Sequence, residues 1–356
     1  MRVLIVKISS LGDVIHTLPA VTDAMRANRK LVFDWVVEEN FAEVPGWHPA
    51  VESVIPVSIR RWRKNWIRTY LKGDVGIFKK DLQKIHYDLV IDAQGLIKSG
   101  IVSRMSRGLT VGLSNHTIKE PLATLFYNKR YAVPWSKHAV ERVRELFSRA
   151  LNYKYDKTRV DYGLDFSRIG IDAQLPRKKQ LVFLHGTTWE SKYWPDSYWC
   201  QLASLATQNG YKVLLPWGIE SERNRAELIA GNNDAITILP RQSLTGLAQH
   251  IAQSAAVIAV DTGLGHLAAA LSIPTLSLYG STDPGLSGTF GNEQLHLRAR
   301  FDCSPCMKKT CSYSGPEVTD TFNSNEFKVI PPCYSSLQPD TVWETFVSLI
   351  GSPNAL

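Results

Sequence analysis

The chain has 356 residues, 44% of them hydrophobic and 21% charged, and a formal net charge of +8. That length exceeds what one ordinary hydrophobic core fills, so two domains are expected. No window holds the run of about 20 apolar residues that a helical bilayer span needs. The stretch from Met1 to Asp13 is apolar but interrupted by Lys7, with no small-residue cleavage site, so it reads as a buried strand and not as a secretory signal. A cytosolic chain whose five cysteines stay mostly reduced is the corresponding expectation. The positive charge asks for an acidic partner without choosing among nucleic acid, phosphorylated substrate and anionic membrane.

In chain order, short apolar runs alternate with helical patterns. Strands are predicted over Val3–Ile8, Phe33–Val37, Val54–Ile59 and Leu89–Asp92 in the first half. In the second they fall at Leu181–His185, Lys212–Pro216, Ile236–Leu239, Ala256–Val260 and Thr275–Leu278. This β-α alternation predicts an α/β protein with parallel sheets covered on both faces. The polar segment from Asn152 to Lys179 suits a linker. The expected division is residues 1–165 and 166–338, with a final helix over about 339–352 packing back on the first domain. Ligands of open α/β sheets bind outside the carboxyl ends of the strands, so functional residues should follow strands directly.

Four segments do. Lys7-Ile-Ser-Ser10-Leu-Gly12-Asp13 follows the first strand. Ser10 and Gly12 make a tight polar turn at a helix start, where backbone amides favour an anion. Asp13 there serves either as a helix cap or as a base. His185-Gly-Thr187-Thr188 leads to Lys192 and a Pro195 helix start, offering hydroxyls, amides and one ammonium to a pyrophosphate. Asp261-Thr262-Gly263-Leu264-Gly265-His266 ends a buried strand and opens an Ala-rich helix whose N-terminus favours negative charge. Tyr279-Gly-Ser-Thr-Asp283-Pro-Gly either closes the same site or is a plain turn.

Together these motifs resemble the ADP-heptose:lipopolysaccharide heptosyltransferases, glycosyltransferase family 9. The likeness extends to Asp34-Trp-Val-Val-Glu38, Ile59-Arg-Arg-Trp-Arg-Lys64, Ile91-Asp-Ala-Gln-Gly95 and Glu120-Pro-Leu-Ala. It is strongest to members that add the first heptose to the Kdo region of lipid A. The resemblance implies a GT-B fold, two Rossmann-like domains facing each other across a cleft, and inversion at the anomeric carbon. It implies Asp13 as general base and Thr187, Thr188 and Lys192 on the donor diphosphate. Asp261 and His266 would contact the heptose, the amides of Thr262, Gly263 and Leu264 a phosphate, and Glu222 the ribose. Gly265 departs from the Ser expected before the His. The implied donor is ADP-heptose. No cofactor and no catalytic metal is expected, with Lys192 and a helix dipole taking the metal's place.

Between Ile59 and Lys84 stand nine Lys or Arg against two Asp, with Trp62, Trp66 and Tyr70 interleaved. Arg60, Arg61, Arg63 and Lys64, with Lys119 as a further candidate, suit the carboxylate and phosphates of a Kdo–lipid A acceptor at a membrane surface. The aromatic residues would rest at the interface. No nucleic-acid module is recognised, so nucleic acid is not expected as a partner. Cys303, Cys306, Cys311 and Cys333 offer four thiolates for a structural zinc, with free thiols and disulfides as open alternatives. Cys200 reads as core packing. The enzyme alternative is a heptosyltransferase that extends the core on an existing heptose. A non-catalytic nucleotide-sugar or lipid-binding module would need neither Asp13 nor Lys192. With acceptor groups on one domain and donor groups on the other, closure about residues 152–180 is expected on binding.

Overall fold

The computed structural model describes residues 1–65, 73–172 and 174–351. Trp66, Arg68, Tyr70 and Lys72 of the basic stretch lie outside the described residues. The chain forms two compact units, Met1–Arg168 and Ile169–Leu356, dividing inside the segment read as a linker.

The first domain runs β1 (Arg2–Val6), α1 (Leu11–Ile15), α2 (Leu18–Ala27), β2 (Val32–Glu38), β3 (Val51–Val57), α3 (Ile59–Lys64) and α4 (Asp74–Leu82). It continues with β4 (Leu89–Asp92), α5 (Ile97–Met105), β5 (Thr110–Leu113), β6 (Lys129–Tyr131) and α6 (Ala139–Leu151). Its sheet is parallel, in the order β3-β2-β1-β4-β5-β6. The second domain runs β7 (Lys178–Leu184), α7 (Asp196–Gln208), β8 (Lys212–Leu215), α8 (Glu220–Ala230), β9 (Ile236–Ile238) and α9 (Leu244–Ala252). After these come β10 (Ser254–Val260), α10 (Gly263–Ala270), β11 (Thr275–Tyr279) and β12 (Gln294–Arg298), in a parallel sheet ordered β12-β11-β10-β7-β8-β9.

Numbered within each domain, both sheets have the strand order 3-2-1-4-5-6. The winding reverses between β1 and β4 and again between β7 and β10. Those switch points are where such sheets hold ligands. The central stretches of the strands beside them are apolar because helices cover both faces. Val3, Leu4, Ile5 and Val6 of β1, and Ala256, Val257, Ile258 and Ala259 of β10, are fully buried.

Five strands carry no clear signal in the sequence. β6 and β12 are sheet edges: Lys129 and Arg130 of β6 are exposed, as are Leu295 and Arg298 of β12, so neither strand reads as a continuous apolar run. β5 contains Gly112, kept bare because a Cβ would stand 2.4 Å from the Tyr127 ring. β13 (Thr319–Phe322) and β14 (Asn325–Lys328) form a separate antiparallel hairpin of mostly polar residues. β3 ends at Val57, so Ile59, expected as its last residue, instead opens α3.

The last helix, α11 (Pro339–Ile350), corrects an expectation. It buries Val342 and Phe346 in the core of the second domain, and Trp343 and Phe346 pack their rings on Tyr211 at 6.1 and 5.8 Å. Its apolar face is used there.

Each domain also buries an uncharged histidine. His48 lies between Thr22, at 3.0 Å from Nε2, and the amide of Ala50, at 3.1 Å from Nδ1. Burial, only partly offset by Asp161, pushes it down to about 4. His185, fully buried, is pushed down to about 4 by burial and by Arg225. The unfolded chain therefore binds two protons that the native state refuses. Stability should fall as pH drops from the ordinary histidine value of about 6.5 towards 4, by roughly 3 kcal/mol per histidine. Urea titrations at pH 7, 5.5 and 4.5 measure this, and a flat stability across that window would contradict it.

Candidate functional site

At the first switch point β1 ends at Val6, and Lys7 stays buried with its ammonium donating to the Ala93 carbonyl at 2.9 Å. Its Nζ also stands 3.4 Å from Asp13 Oδ1. Ser10 caps α1, and Asp13 sits at the third helical position. The Ser10 amide and hydroxyl both donate to Asp13 Oδ2 at 2.9 Å. The Ser10 amide, expected to greet an anion, is thus already taken, because a carboxylate three residues on closes the turn. Gly12 is buried within α1 while Ser10 is exposed.

Capping does not use Asp13 up, since 41% of its side chain remains exposed. Burial alone would raise its carboxyl, but the Lys7 ammonium and the Ser10 hydrogen bonds outweigh that and hold it below the ordinary carboxylate value. At neutral pH Asp13 is ionised, positioned and open on one side, as a proton acceptor must be.

From β4, Gln94 Oε1 accepts the amides of Ile8 and Ser9, each at 3.0 Å, and Lys98 donates to Ser9 Oγ at 3.0 Å. Burial lowers the Lys98 ammonium, Glu38 opposes the change, and Arg60 and Arg63 add to it. Lys98 therefore lies within the field of the α3 cations. Sequence reasoning gave Lys7, Gln94 and Lys98 no role. The available signals were a lysine ending a buried strand and the Gln94-Gly95 turn after β4.

Arg60, Arg61, Arg63 and Lys64 are all exposed on α3. They are not equivalent. Arg61 is tied to Ser58 Oγ at 2.8 Å and to Glu39 at 3.3 Å, whereas Arg60 lies over Phe41, 5.4 Å from the ring centre. Trp62 does not stand out at an interface as expected, since it packs edge-on against Phe78 with ring centres 5.6 Å apart. Lys119 is exposed, next to Glu120, whose carboxylate accepts the Ile97 amide at 2.7 Å.

At the second switch point the ends of β7 and β10 are joined by Thr187, whose hydroxyl donates to the Asp261 carbonyl at 3.0 Å. Lys192 Nζ meets Asp261 Oδ2 at 2.7 Å and lies 4.3 Å from the Trp189 ring centre. Thr282 donates to the same oxygen at 2.6 Å. Lys192 and Asp261 side chains are only 14% and 8% exposed, so this is a nearly dry ion pair. Tyr334 holds the Lys192 carbonyl at 2.9 Å and Tyr193 the Thr187 carbonyl at 2.7 Å. Thr188 is exposed.

Thr262 caps α10, whose first amides, on Gly263 and Leu264, have no carbonyl four residues back. His266 is buried one turn in. A Cβ at Gly265 would meet Thr289, Ala259 and Ser277 no closer than 3.5 Å, so this departure from the family pattern leaves the turn unstrained and room for the missing side chain. Glu222 closes the start of α8 through the Gly218 and Ile219 amides, at 2.8 and 3.3 Å. Its other oxygen would be 2.4 Å from a Cβ at Gly186, which places it beside the Thr187 loop. The fourth sequence element contributes Thr282, while Asp283 itself makes a turn by accepting from Gly285 at 2.8 Å.

Cys303, Cys306, Cys311 and Cys333 line one small pocket with Ser191 and Ser281. Burial, helped by the other three thiols, pushes the Cys333 thiol up to about 12. Among the described residues no three His, Cys, Asp or Glu side chains stand close enough together to hold a metal. Cys333 is buried, Cys306 and Cys311 are half-buried and Cys303 is exposed. Cys200 is half-buried on α7, a packing position.

Two doubly wound domains, one with an ionised carboxylate at its switch point and the other with an ammonium and a helix N-terminus, define a GT-B-type glycosyltransferase. The model for "Glycosyltransferase family 9 (heptosyltransferase)" matches residues 75–316. The lipopolysaccharide heptosyltransferase 1 of Pseudomonas aeruginosa is 50% identical over 357 residues, covering 100% of both chains. The solved structure of Escherichia coli heptosyltransferase WaaC with ADP-2-deoxy-2-fluoro heptose is 41% identical, covers 98% of this chain and 99% of that one, and has a TM-score of 0.81. Lipopolysaccharide heptosyltransferase 2 of Escherichia coli matches over 30% of this chain at 32% identity. The chain belongs to glycosyltransferase family 9.

Proposed function

We propose that this enzyme is an inverting glycosyltransferase that moves L-glycero-D-manno-heptose from ADP-heptose to the Kdo region of lipid A in lipopolysaccharide inner-core synthesis. The observations that carry the reading are an ionised, partly exposed Asp13 in one domain and a Lys192–Asp261 ion pair in the other. An acceptor hydroxyl loses its proton to Asp13 as its oxygen bonds to the anomeric carbon. The bond to the diphosphate breaks on the opposite face, and ADP leaves with its new charge against Lys192 and the first amides of α10. In this reading residues 1–165 carry the acceptor and 166–338 the donor. Thr187, Thr188 and Lys192 serve the diphosphate, Glu222 the ribose, and Asp261 with His266 the heptose. Ser10, Gly12, Arg60, Arg61, Arg63, Lys64 and Lys119 serve the acceptor, with Lys98 added by its place beside Ser9.

No described helix is long and apolar enough to cross a membrane. We place the enzyme on the cytoplasmic face of the inner membrane as a peripheral protein. Full-length likeness to a heptosyltransferase 1, against a partial match to heptosyltransferase 2, favours Kdo as the acceptor. Turnover should be seen with ADP-heptose and Kdo–lipid A and fall at least about tenfold with heptosylated Kdo–lipid A. The reverse preference would move the enzyme one step along the core. The combined variant Arg60→Ala, Arg61→Ala, Lys64→Ala should raise the acceptor KM and leave the donor KM nearly unchanged. A donor-side defect instead would contradict the placement of this cluster.

A further inference from the structure

The 3-10 turn Pro121–Phe126 packs along α5 in the first domain. A Cβ on Gly100 of α5 would lie 2.6 Å from the Phe126 ring and 3.3 Å from the Ala123 carbonyl. Ala123 and Thr124 face inward and are buried. Leu122 and Leu125, three apart and so on one side of a 3-10 turn, are 63% and 75% exposed. On α5, Ile97 and Ile101, one helical turn apart, are 36% and 40% exposed. Four large aliphatic side chains thus stand in solvent on two adjoining elements. That is costly on a surface unless something apolar covers it.

The charges around them indicate what that is. Between Ile97 and Arg130 the chain has six Lys or Arg and a single acid, Glu120. Glu120 is tied to the Ile97 amide, whereas Arg104, Lys119 and Arg130 are exposed. Exposed aliphatic side chains on a segment that also exposes Arg104, Lys119 and Arg130 fit the headgroup boundary of an anionic bilayer, where aliphatic groups enter the acyl region and Lys and Arg meet phosphates. A protein partner or a second copy would supply apolar area, but an anionic membrane also accounts for the excess of exposed cations over acids in this segment. The patch is also linked to the acceptor turn, since Lys98 of α5 bonds Ser9 and Gln94 at the end of β4 bonds Ile8 and Ser9.

We propose that the Ile97, Ile101, Leu122 and Leu125 patch docks the first domain onto an anionic membrane, next to the turn that receives the lipid-borne acceptor. The placement rests on reading that acceptor as a lipid. Co-sedimentation with phosphatidylethanolamine vesicles containing phosphatidylglycerol tests it directly. The wild-type protein should bind, more weakly at high salt, and Leu122→Gln/Leu125→Gln should bind at least about tenfold more weakly. The variant should keep the wild-type thermal midpoint and transfer heptose normally to a lipid-free Kdo acceptor, because these side chains touch neither core nor site. Equal vesicle binding by variant and wild type would overturn the proposal. So would absence of binding by the wild type, or light scattering in which the substitutions dissociate a dimer. Failure of the wild type on the lipid-free Kdo acceptor, with vesicle binding intact, would instead count against the acceptor reading and leave the membrane surface standing.

Discussion

Asp13→Asn is expected to abolish turnover while leaving ADP binding almost unchanged. Asparagine keeps the size and can still accept from Ser10, but it has no basicity and no charge to pair with Lys7, 3.4 Å away. Losing a general base costs 10²–10⁴-fold, roughly 3–5 kcal/mol of barrier. Weakening the capping turn costs at most about 1 kcal/mol of stability, too little to unfold a domain. The two effects separate cleanly in a kcat measurement beside a melting curve. Retention of more than about a tenth of wild-type kcat would mean that Asp13 only closes the turn at α1. Because Lys7 and Ser10 hold the carboxyl below its ordinary value, the acidic limb of the pH–rate profile should not appear near pH 5. It should lie below the usual carboxylate range, where folding itself begins to fail. A limb near neutral pH would point to a different base.

Lys192→Ala is expected to be damaging in two ways at once. As the cation facing a departing diphosphate, Lys192 should be worth about 10²–10³-fold in rate, and its loss should also weaken ADP binding. It also neutralises Asp261, whose side chain is 8% exposed. Removing one member of a buried pair leaves an uncompensated charge and costs about 3–5 kcal/mol. The single variant therefore confounds chemistry with folding. Adding Asp261→Asn removes the stranded charge, so the double variant should regain most of the lost stability and none of the activity. A double variant that recovered both would make the pair purely structural. Calorimetry with ADP supplies the third reading, and unchanged ADP affinity in the folded double variant would place Lys192 outside the donor site. The ammonium is held by Asp261, so a diphosphate must draw it away or share it. Thr282, at 2.6 Å, remains to stabilise the carboxylate when it does.

The alternation of buried strands and helical patterns, the two-domain division and the strand-end positions of Asp13, Thr187 and Asp261 were legible in the residues alone. The reason is that parallel strands covered on both faces must be continuously apolar, so their ends stand out as the first polar residues. The turn before α1 was legible for the same kind of reason, since Ser10 and Gly12 announce a polar turn at a helix start within a few residues; that Ser10 and Thr262 are the capping residues was not read from the sequence. Edge strands β6 and β12 were not, because a strand with one neighbour and a wet face has no obligation to be apolar. Nor could local pattern say where α11 would bury Val342 and Phe346, since an amphipathic helix specifies a face and not a partner.

The electrostatics of the site belong wholly to the tertiary structure. Lys7 and Ala93 are 86 residues apart, as are Ile8 and Gln94. Ser9 and Lys98 are separated by 89 residues and Thr187 and Asp261 by 74. Each pair meets only because β1 lies beside β4, and β7 beside β10. Trp62, read from sequence as interfacial, packs on Phe78, while Arg61 stays exposed and takes Glu39 as a partner. Residue type announced which groups could do chemistry. Which of them are paired, dry or left open to a substrate was decided by strand order, because charge and burial act through space and not along the chain.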